Sequence, residues 1–180
     1  MNVLIIGNCV GHRVQEAQIE DDPLASEKKH FENLLRSEIL RFRVEFIGEE
    51  ALEGSETIAK HLGIPWANID MPQAIRGAKG IANEQSTRPR IPTYIGPGAR
   101  NELTEAGYQI VQGGGWVVLE PRLPSDIVRE EYMFDRAVRE AARLKSIMVI
   151  CGVNHLLELQ RRFRSKYGDQ VEVKLWQGAR

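Results

Sequence analysis

The sequence predicts an α/β protein, a three-layer single domain with a mostly parallel sheet and an irregular, lid-like insertion. Its apolar runs of strand length, such as NVLIIG at 2–7 and SIMVICG at 146–152, are continuous rather than alternating. Continuous runs are typical of parallel strands that are covered on both faces. Helical patterns separate these runs, an order that favours helices on both sides of one sheet. The length of 180 residues fits one such domain over 1–180.

The first half of the chain predicts three strands joined by two helices. In chain order these are the strand 2–7, the helix 26–42, the strand 43–48, the helix 55–63 and the strand 66–70. Ser26 and Ser55 are the expected N-caps because their short side chains can accept a hydrogen bond from the first helical turn. Gly63 is the expected end of the short helix, since glycine adopts the left-handed conformation easily.

The middle of the chain, from residue 72 to about 123, predicts irregular structure because it is rich in proline and holds three successive glycines at 113–115. So long a stretch within a compact domain indicates a functional lid, a mobile segment or an undetected element, and we place the insertion at about 82–123. The segments YQIVQ and WVVLE on either side of the glycines favour a hairpin.

The last third predicts two further helices and two strands. These are the helix 124–145, the buried strand 146–152, the helix 154–168 and the alternating edge strand 170–176. Gly152 is expected to turn the chain with a positive φ, and Asn154 to cap the helix that follows. Gly168 is its expected end.

The composition excludes several classes of protein. A net charge of −1 gives no global field for nucleic acid or anionic lipid. The first apolar run is too short for a signal peptide, and no stretch reaches the length of a membrane-spanning helix, so a cytoplasmic protein is expected. The two cysteines, Cys9 and Cys151, follow no disulfide or metal-finger spacing, and Cys151 is expected to be a small apolar side chain.

Polar side chains follow each predicted parallel strand. Because ligands of open parallel sheets lie outside the carboxyl ends of the strands, these side chains are expected to share one edge. They are His12 and Gln15 after the first strand, Glu49 and Glu50 after the second, Asp70 after the third, and Asn154 and His155 after the strand 146–152. This convergence is the most informative feature of the sequence.

Such a set can bind a metal or transfer protons. Imidazole and carboxylate groups bind Zn²⁺, Mn²⁺ or Co²⁺, and an open coordination position activates water. The candidate metal ligands are His12, Glu49, Asp70 and His155. Without metal, a carboxylate and a histidine can divide the base and acid roles. In an extended backbone one glutamate of the adjacent pair points into the site and the other orients a ligand or pairs with Arg129; the sequence leaves open which.

The segment REEYM at 129–133 offers a cation on the long helix 124–145. Arg129 lies near the helix start and can reach the strand ends, where it would stabilise developing negative charge or bind a carboxylate or phosphate. The alternative is an ordinary surface helix with salt bridges. The candidate substrate-binding residues are Gln15, Glu50, Tyr132 and Asn154.

The motif GVNH at 152–155, after a hydrophobic strand and an arginine-bearing helix, resembles the second G-x-x-H motif of the TraB/Tiki superfamily, whose wider relatives include erythromycin-esterase-like and ChaN-like proteins. FIGEE at 46–50 is similar to that group's strand ending in glutamate, and VGHRVQ at 10–15 lies where its first histidine motif belongs. The chain is most similar to short bacterial proteins with the pattern H-x-x-Q, E-E, R-E-x-Y-W and C-G-x-x-H. Cys9 and Met133 depart from these patterns, which have glycine and tryptophan there.

The resemblance implies a parallel-sheet core with histidines and glutamate at one edge. Some Tiki members are divalent-metal-dependent proteases, and the esterase relatives use histidine and glutamate for hydrolysis. The resemblance thus implies His12, Glu49 and His155 as site residues, with Arg129 as the matching arginine. Because one superfamily can hold several chemistries, it implies a site more firmly than a reaction.

We therefore expect a small hydrolase, assisted by Mn, Co or Zn, that acts on a small-molecule or peptide substrate, with His12, Glu49, Arg129 and His155 as catalytic residues. One alternative is a nucleotide-binding protein with GNCVG as a degenerate phosphate loop, although the glycine spacing of a dinucleotide fingerprint is not met. The other is a non-catalytic ligand-sensing module. The oligomeric state stays open, with a homodimer as one alternative.

Overall fold

The core of the protein is a five-stranded sheet in which every pairing is parallel. The computed structural model describes residues 1–8, 23–50, 54–81, 108–111, 115–118 and 124–176. The sheet strands are β1 (Asn2–Asn8), β2 (Phe46–Glu49), β3 (Trp66–Asn68), β6 (Ser146–Gly152) and β7 (Val171–Trp176). Their order is β3-β2-β6-β1-β7. The predicted α/β class with a parallel sheet is confirmed, and 170–176 is an edge strand as predicted.

Helices cover both faces of the sheet. The described helices are α1 (Pro23–Phe42), α2 (Glu56–Leu62), α3 (Gln73–Ala78), α4 (Pro124–Glu140) and α5 (Val153–Tyr167). One core cluster joins alternate residues of the central strands to α1 and α2; it includes Leu4, Ile6, Phe31, Leu35 and Ile58. The other joins the intervening residues to α4 and α5; it includes Val3, Ile5, Met133, Ala137 and Phe163. The three-layer arrangement follows from this alternation.

The connections make the carboxyl end of β6 a natural place for a site. The helices that follow β1 and β2 pack on one face of the sheet, whereas α5, which follows β6, packs on the other. From β1 and β2 the chain continues toward the β3 edge of the sheet, whereas from β6 it continues toward the β7 edge. The chain therefore leaves β6 in the direction opposite to that of both of its neighbours, β2 and β1. Such a switch opens a crevice at the carboxyl edge, where ligands of doubly wound sheets bind.

The proline-rich middle of the chain holds structure that the sequence showed only in part. Two strands, β4 (Tyr108–Val111) and β5 (Gly115–Val118), pair antiparallel, so the predicted hairpin is confirmed. The short helix α3 was not predicted. The rest of the predicted lid, 82–107, 112–114 and 119–123, lies outside the described residues.

Several predicted boundaries were wrong by a few residues. The helix α1 begins at Pro23 and so includes Ser26, which is therefore not its N-cap. The second strand begins at Phe46 rather than residue 43, because α1 continues to Phe42 and Arg43 then turns the chain with a φ of 52°. The third strand ends at Asn68, and α4 ends at Glu140.

The cap predictions had mixed outcomes. Gly63 and Gly168 end α2 and α5 with φ values of 66° and 61°, as expected. Ser55 precedes α2 but forms no side-chain cap. Gly152, with φ −59°, takes the N-cap position of α5, so neither its predicted positive φ nor the predicted cap at Asn154 is correct. No helix in the described ranges is long and apolar enough to cross a membrane.

Candidate functional site

The adjacent glutamates at the end of β2 point to opposite faces of the sheet. Side chains alternate along an extended strand, so Glu49 shares the face of Ile47, which packs with α1 and α2. Glu50 shares the face of Phe46, which packs with α4 and α5. Both carboxyl groups are buried. The open question of which glutamate meets Arg129 is therefore decided by strand geometry: it is Glu50.

Glu50 connects the ends of β2 and β6 with α4. Its Oε1 accepts a hydrogen bond from Nη2 of Arg129 at 2.7 Å and lies 3.2 Å from Nε2 of His155. Its Oε2 accepts the backbone N–H of Gly152 at 2.7 Å, at the N-terminus of α5. That position favours a negative charge, because the helix dipole is positive there.

These contacts set the charge of Glu50. Burial raises the pKa of its carboxyl, but the neighbouring His155, Arg129 and the Gly152 amide outweigh burial, and together they hold the pKa well below the ordinary value of 4.5. Glu50 is therefore a fixed negative charge at neutral pH.

Arg129 ties a second carboxylate into the cluster. Its Nε donates to Oδ1 of Asp70 at 3.1 Å and its Nη2 to Oδ2 at 3.0 Å. Asp70 Oδ2 also pairs with Nη2 of Arg76, whose Nε donates to the carbonyl of Met71 at 2.8 Å. Burial lowers the pKa of Arg129, but the two carboxylates more than compensate and raise it overall. The guanidinium is thus a cation held between the carboxyl groups of Glu50 and Asp70.

His155 lies between two carboxylates. It occupies the first turn of α5 and is 3% exposed. Its Nδ1 lies 2.9 Å from Oε1 of Glu130 on α4, and its Nε2 faces Glu50. Glu130 is 0% exposed, and its neighbour Arg129 is also buried. The charged groups contributed by α4 and α5 therefore meet in the interior of the protein.

Glu49 belongs to a separate buried cluster on the other face. Its Oε2 accepts the backbone N–H of Ser55 at 3.1 Å, the Ser55 hydroxyl at 2.6 Å and the indole N–H of Trp66 at 3.0 Å. Burial raises the pKa of Glu49 to about 7 in spite of these donors. The hydroxyl of Ser55 is thus bound to Glu49 instead of capping α2.

The candidate metal ligands do not come together as a common set in this arrangement. Glu49 lies across the sheet from His155, and both oxygens of Asp70 accept hydrogen bonds from Arg129. A metal ion bound by Asp70 would have to displace the guanidinium of Arg129. Of the residues that the structure describes, no three His, Cys, Asp or Glu side chains form a group that could hold a metal ion. His12, the fourth candidate, lies outside those residues.

The remaining predicted site residues are only partly placed. Gln15 also lies outside the described ranges, as does Cys9. Tyr132 is half-buried, one turn along α4 from Arg129. Asn154 adjoins His155, and its buried Oδ1 has no hydrogen-bond partner in the described part of the chain. A buried amide oxygen without a donor is uncommon and marks the start of α5 as a place for a polar ligand.

Gly7 has a structural reason for its small size. A Cβ at Gly7 would lie 2.8 Å from Cδ2 of Leu156 and 3.2 Å from Cδ2 of Leu175, so glycine lets α5 and β7 pack against β1. This packing accounts for Gly7, the first glycine of GNCVG, without any need for a phosphate-binding loop. Cys151 is buried within the core, as expected of a small apolar side chain.

No protein-family model matches the chain, and comparisons with curated proteins and solved structures found no significant match.

Two members of the cluster were not predicted. Glu130 shares a helix face with Asp126, and such a pair of carboxylates is typical of a solvated surface. Arg76 belongs to α3, which was itself missed. The sequence signal that could have found Glu130 is the helix pattern: Glu130, Met133 and Ala137 have helical spacing and are all buried.

Proposed function

We propose that the protein is a small hydrolase in which His155 is the acid–base residue and Arg129 and Glu50 provide fixed charges at the carboxyl edge of the sheet. One observation carries the proposal: Glu50, Asp70, Arg129, Glu130 and His155 form a buried chain of ionisable groups from several elements. Buried ion pairs rarely stabilise a fold more than apolar packing would. Ionisable groups with perturbed pKa values, such as Glu50 and Arg129, cluster at functional sites.

The groups suit the addition of water to an ester, amide or phosphoester. As the oxygen of water bonds to the electrophilic atom, Nε2 of His155 takes its proton, and the same proton then passes to the leaving oxygen or nitrogen as that bond breaks. When Nε2 is protonated, it faces Oε1 of Glu50, which stabilises the imidazolium.

Arg129 suits the developing negative charge. Its Nε and Nη2 are bonded to Asp70 and Glu50, whereas Nη1 makes no hydrogen bond within the described part of the chain. A guanidinium held on one side by carboxylates is preorganised to donate from the other side to an oxyanion. The half-buried Tyr132 and Asn154 are the proposed substrate contacts from the same two helices.

The resemblance to the TraB/Tiki superfamily supports hydrolysis, because that group includes proteases and esterases. We also propose a cytoplasmic location, from the bulk features of the sequence, and a small-molecule or peptide substrate for the hydrolase. Metal assistance by Mn²⁺, Co²⁺ or Zn²⁺ stays a proposal that depends on His12, and no step above passes through a metal. Thermal melting curves recorded at increasing concentrations of each ion test this proposal. A rise in Tm that His12→Gln removes supports His12 as a metal ligand, and an unchanged Tm with all three ions refutes metal assistance.

A substrate panel tests the hydrolase itself. The purified protein is assayed with p-nitrophenyl acetate, p-nitrophenyl phosphate and a fluorogenic peptide mixture, with and without each metal. We expect His155→Gln to lower kcat/KM by about 100-fold or more, the usual contribution of an acid–base residue. The control is His61→Gln, since His61 is an exposed histidine on α2 and should leave activity unchanged. Equal activity of wild type and His155→Gln would refute the role of His155.

A ligand-sensing module is the second candidate. It is favoured by the fact that both oxygens of Glu50 and of Asp70 already accept hydrogen bonds within the protein. Saturable ligand binding without product in any of the assays would favour this function over hydrolysis.

A further inference from the structure

Glu130 is a carboxylate in a position that packing alone does not explain. It lies on α4 with Met133 and Ala137, which belong to the apolar core, and it is 0% exposed. Burying a carboxylate costs several kcal/mol unless hydrogen bonds and charges compensate. A leucine would fill the same place without that cost. The side chain therefore has a partner that requires it.

That partner is His155. Oε1 of Glu130 lies 2.9 Å from Nδ1, whereas Nε2 on the other side of the ring lies 3.2 Å from Glu50. Arg129, which precedes Glu130 on α4, donates a hydrogen bond to Glu50. One turn of α4 thus fixes both of the groups that flank the imidazole.

We infer that Glu130 is the positioning residue of His155: it accepts the Nδ1 proton, fixes the plane of the ring and leaves Nε2 as the nitrogen that exchanges protons. An ionised carboxylate accepts but cannot donate, and such a group faces each ring nitrogen. The contact of Nδ1 with Glu130, at 2.9 Å, is shorter than the 3.2 Å contact of Nε2 with Glu50, and it therefore favours the tautomer that carries its proton on Nδ1. The inference rests on the proposed function only in making Nε2 the working nitrogen. The tautomer itself is independent of any activity.

The tautomer can be read directly from the ring nitrogens. The sequence has four histidines, and the His155 signals in a long-range ¹H–¹⁵N spectrum are those that disappear in His155→Gln. We expect Nδ1 to carry a proton throughout pH 6–9 in wild type. In Glu130→Leu the acceptor is gone, so the proton should move to Nε2, where Glu50 accepts it. Glu130→Gln keeps a carbonyl acceptor and should retain the Nδ1 proton.

The control is Glu131→Leu, the same change at the exposed neighbour on α4, which should leave the His155 signals unchanged. Circular dichroism checks that each variant is folded, and Glu130→Gln preserves the shape of the side chain if Glu130→Leu does not fold. An unprotonated Nδ1 in wild type, or an Nδ1 proton that persists in folded Glu130→Leu, would overturn the inference.

If the substrate panel reveals turnover, Glu130→Leu should lower kcat by about 10- to 100-fold with KM within about twofold, as for other residues that orient a histidine. Equal loss of kcat in Glu130→Leu and Glu131→Leu would contradict a positioning role. A panel without turnover counts against the hydrolase and leaves the tautomer measurement decisive for Glu130, so the two proposals fail separately.

Discussion

Glu49→Gln should change how the stability of the protein depends on pH. Glu49 is 0% exposed, and burial raises its pKa from 4.5 to about 7. Below pH 4.5 the carboxyl is protonated in the folded and unfolded states alike. Between about pH 4.5 and 7 the unfolded chain releases the proton while the folded protein keeps it, so the free energy of unfolding falls as pH rises.

The pKa difference corresponds to a loss of about 3 kcal/mol above pH 7. Glutamine should avoid this loss, because it is neutral and its carbonyl can accept the three hydrogen bonds that converge on Oε2 from Ser55 and Trp66. The advantage of Glu49→Gln over wild type should therefore grow by about 3 kcal/mol between pH 4.5 and 8. Taking this difference cancels the contribution of groups that titrate equally in both proteins.

Urea unfolding followed by circular dichroism measures this difference at each pH, with the denaturant slope compared between variants to confirm the same transition. Glu131→Gln is the control, since Glu131 is exposed and its substitution should give a flat difference. A difference for Glu49→Gln that stays constant within about 1 kcal/mol, or that rises only below pH 4.5, would refute the argument.

Two further predictions concern packing and charge. Arg129→Met leaves Glu50 and Asp70 buried without their shared cation and should lower the free energy of unfolding by about 3–5 kcal/mol. Arg139→Met, on the exposed side of α4, is the control and should change it little. Equal effects of the two substitutions in denaturant unfolding would contradict the buried network. Gly7→Ala should lower the free energy of unfolding by about 1–3 kcal/mol, because its Cβ would overlap Leu156. Gly77→Ala in α3, where a Cβ would have nothing within 4 Å, should raise it by up to about 1 kcal/mol. An unchanged free energy of unfolding in Gly7→Ala would show that α5 can shift.

The sheet could be predicted because parallel strands leave a strong signal. The runs are continuously apolar from Val3 to Ile6 and from Ile147 to Cys151, and the structure places β1 and β6 side by side with both faces covered. Where the second strand begins could not be predicted, because Val44 and Phe46 are both apolar and nothing local shows that Arg43 adopts a positive φ. The carboxyl edge as the meeting place of polar side chains followed from the order of elements.

The assignment of roles within the site could not follow in the same way. Adjacent residues of a strand face opposite sides, so a change of one residue in register exchanges Glu49 and Glu50. The sequence therefore predicts a glutamate at the site but not which one. The helical spacing of Glu130 with Met133 and Ala137 could place Glu130 on the buried face of α4 but could not identify its partner. His155 lies 25 residues away on another helix, and only the packing of α4 against α5 brings the two together.

The opposite surroundings of Glu49 and Glu50 limit which groups can exchange protons near neutral pH. Glu50 keeps its negative charge, since His155, Arg129 and the Gly152 amide hold its pKa low, so it is a poor proton acceptor. Glu49 does titrate near pH 7, but its carboxyl faces Ser55 and Trp66 behind the sheet. In the proposed hydrolase, His155 is therefore the proton-transfer group, and Glu50 is a constant charge beside it. The contribution of Glu49 to the pH dependence of stability should then be separate from the chemistry on the other face of the sheet.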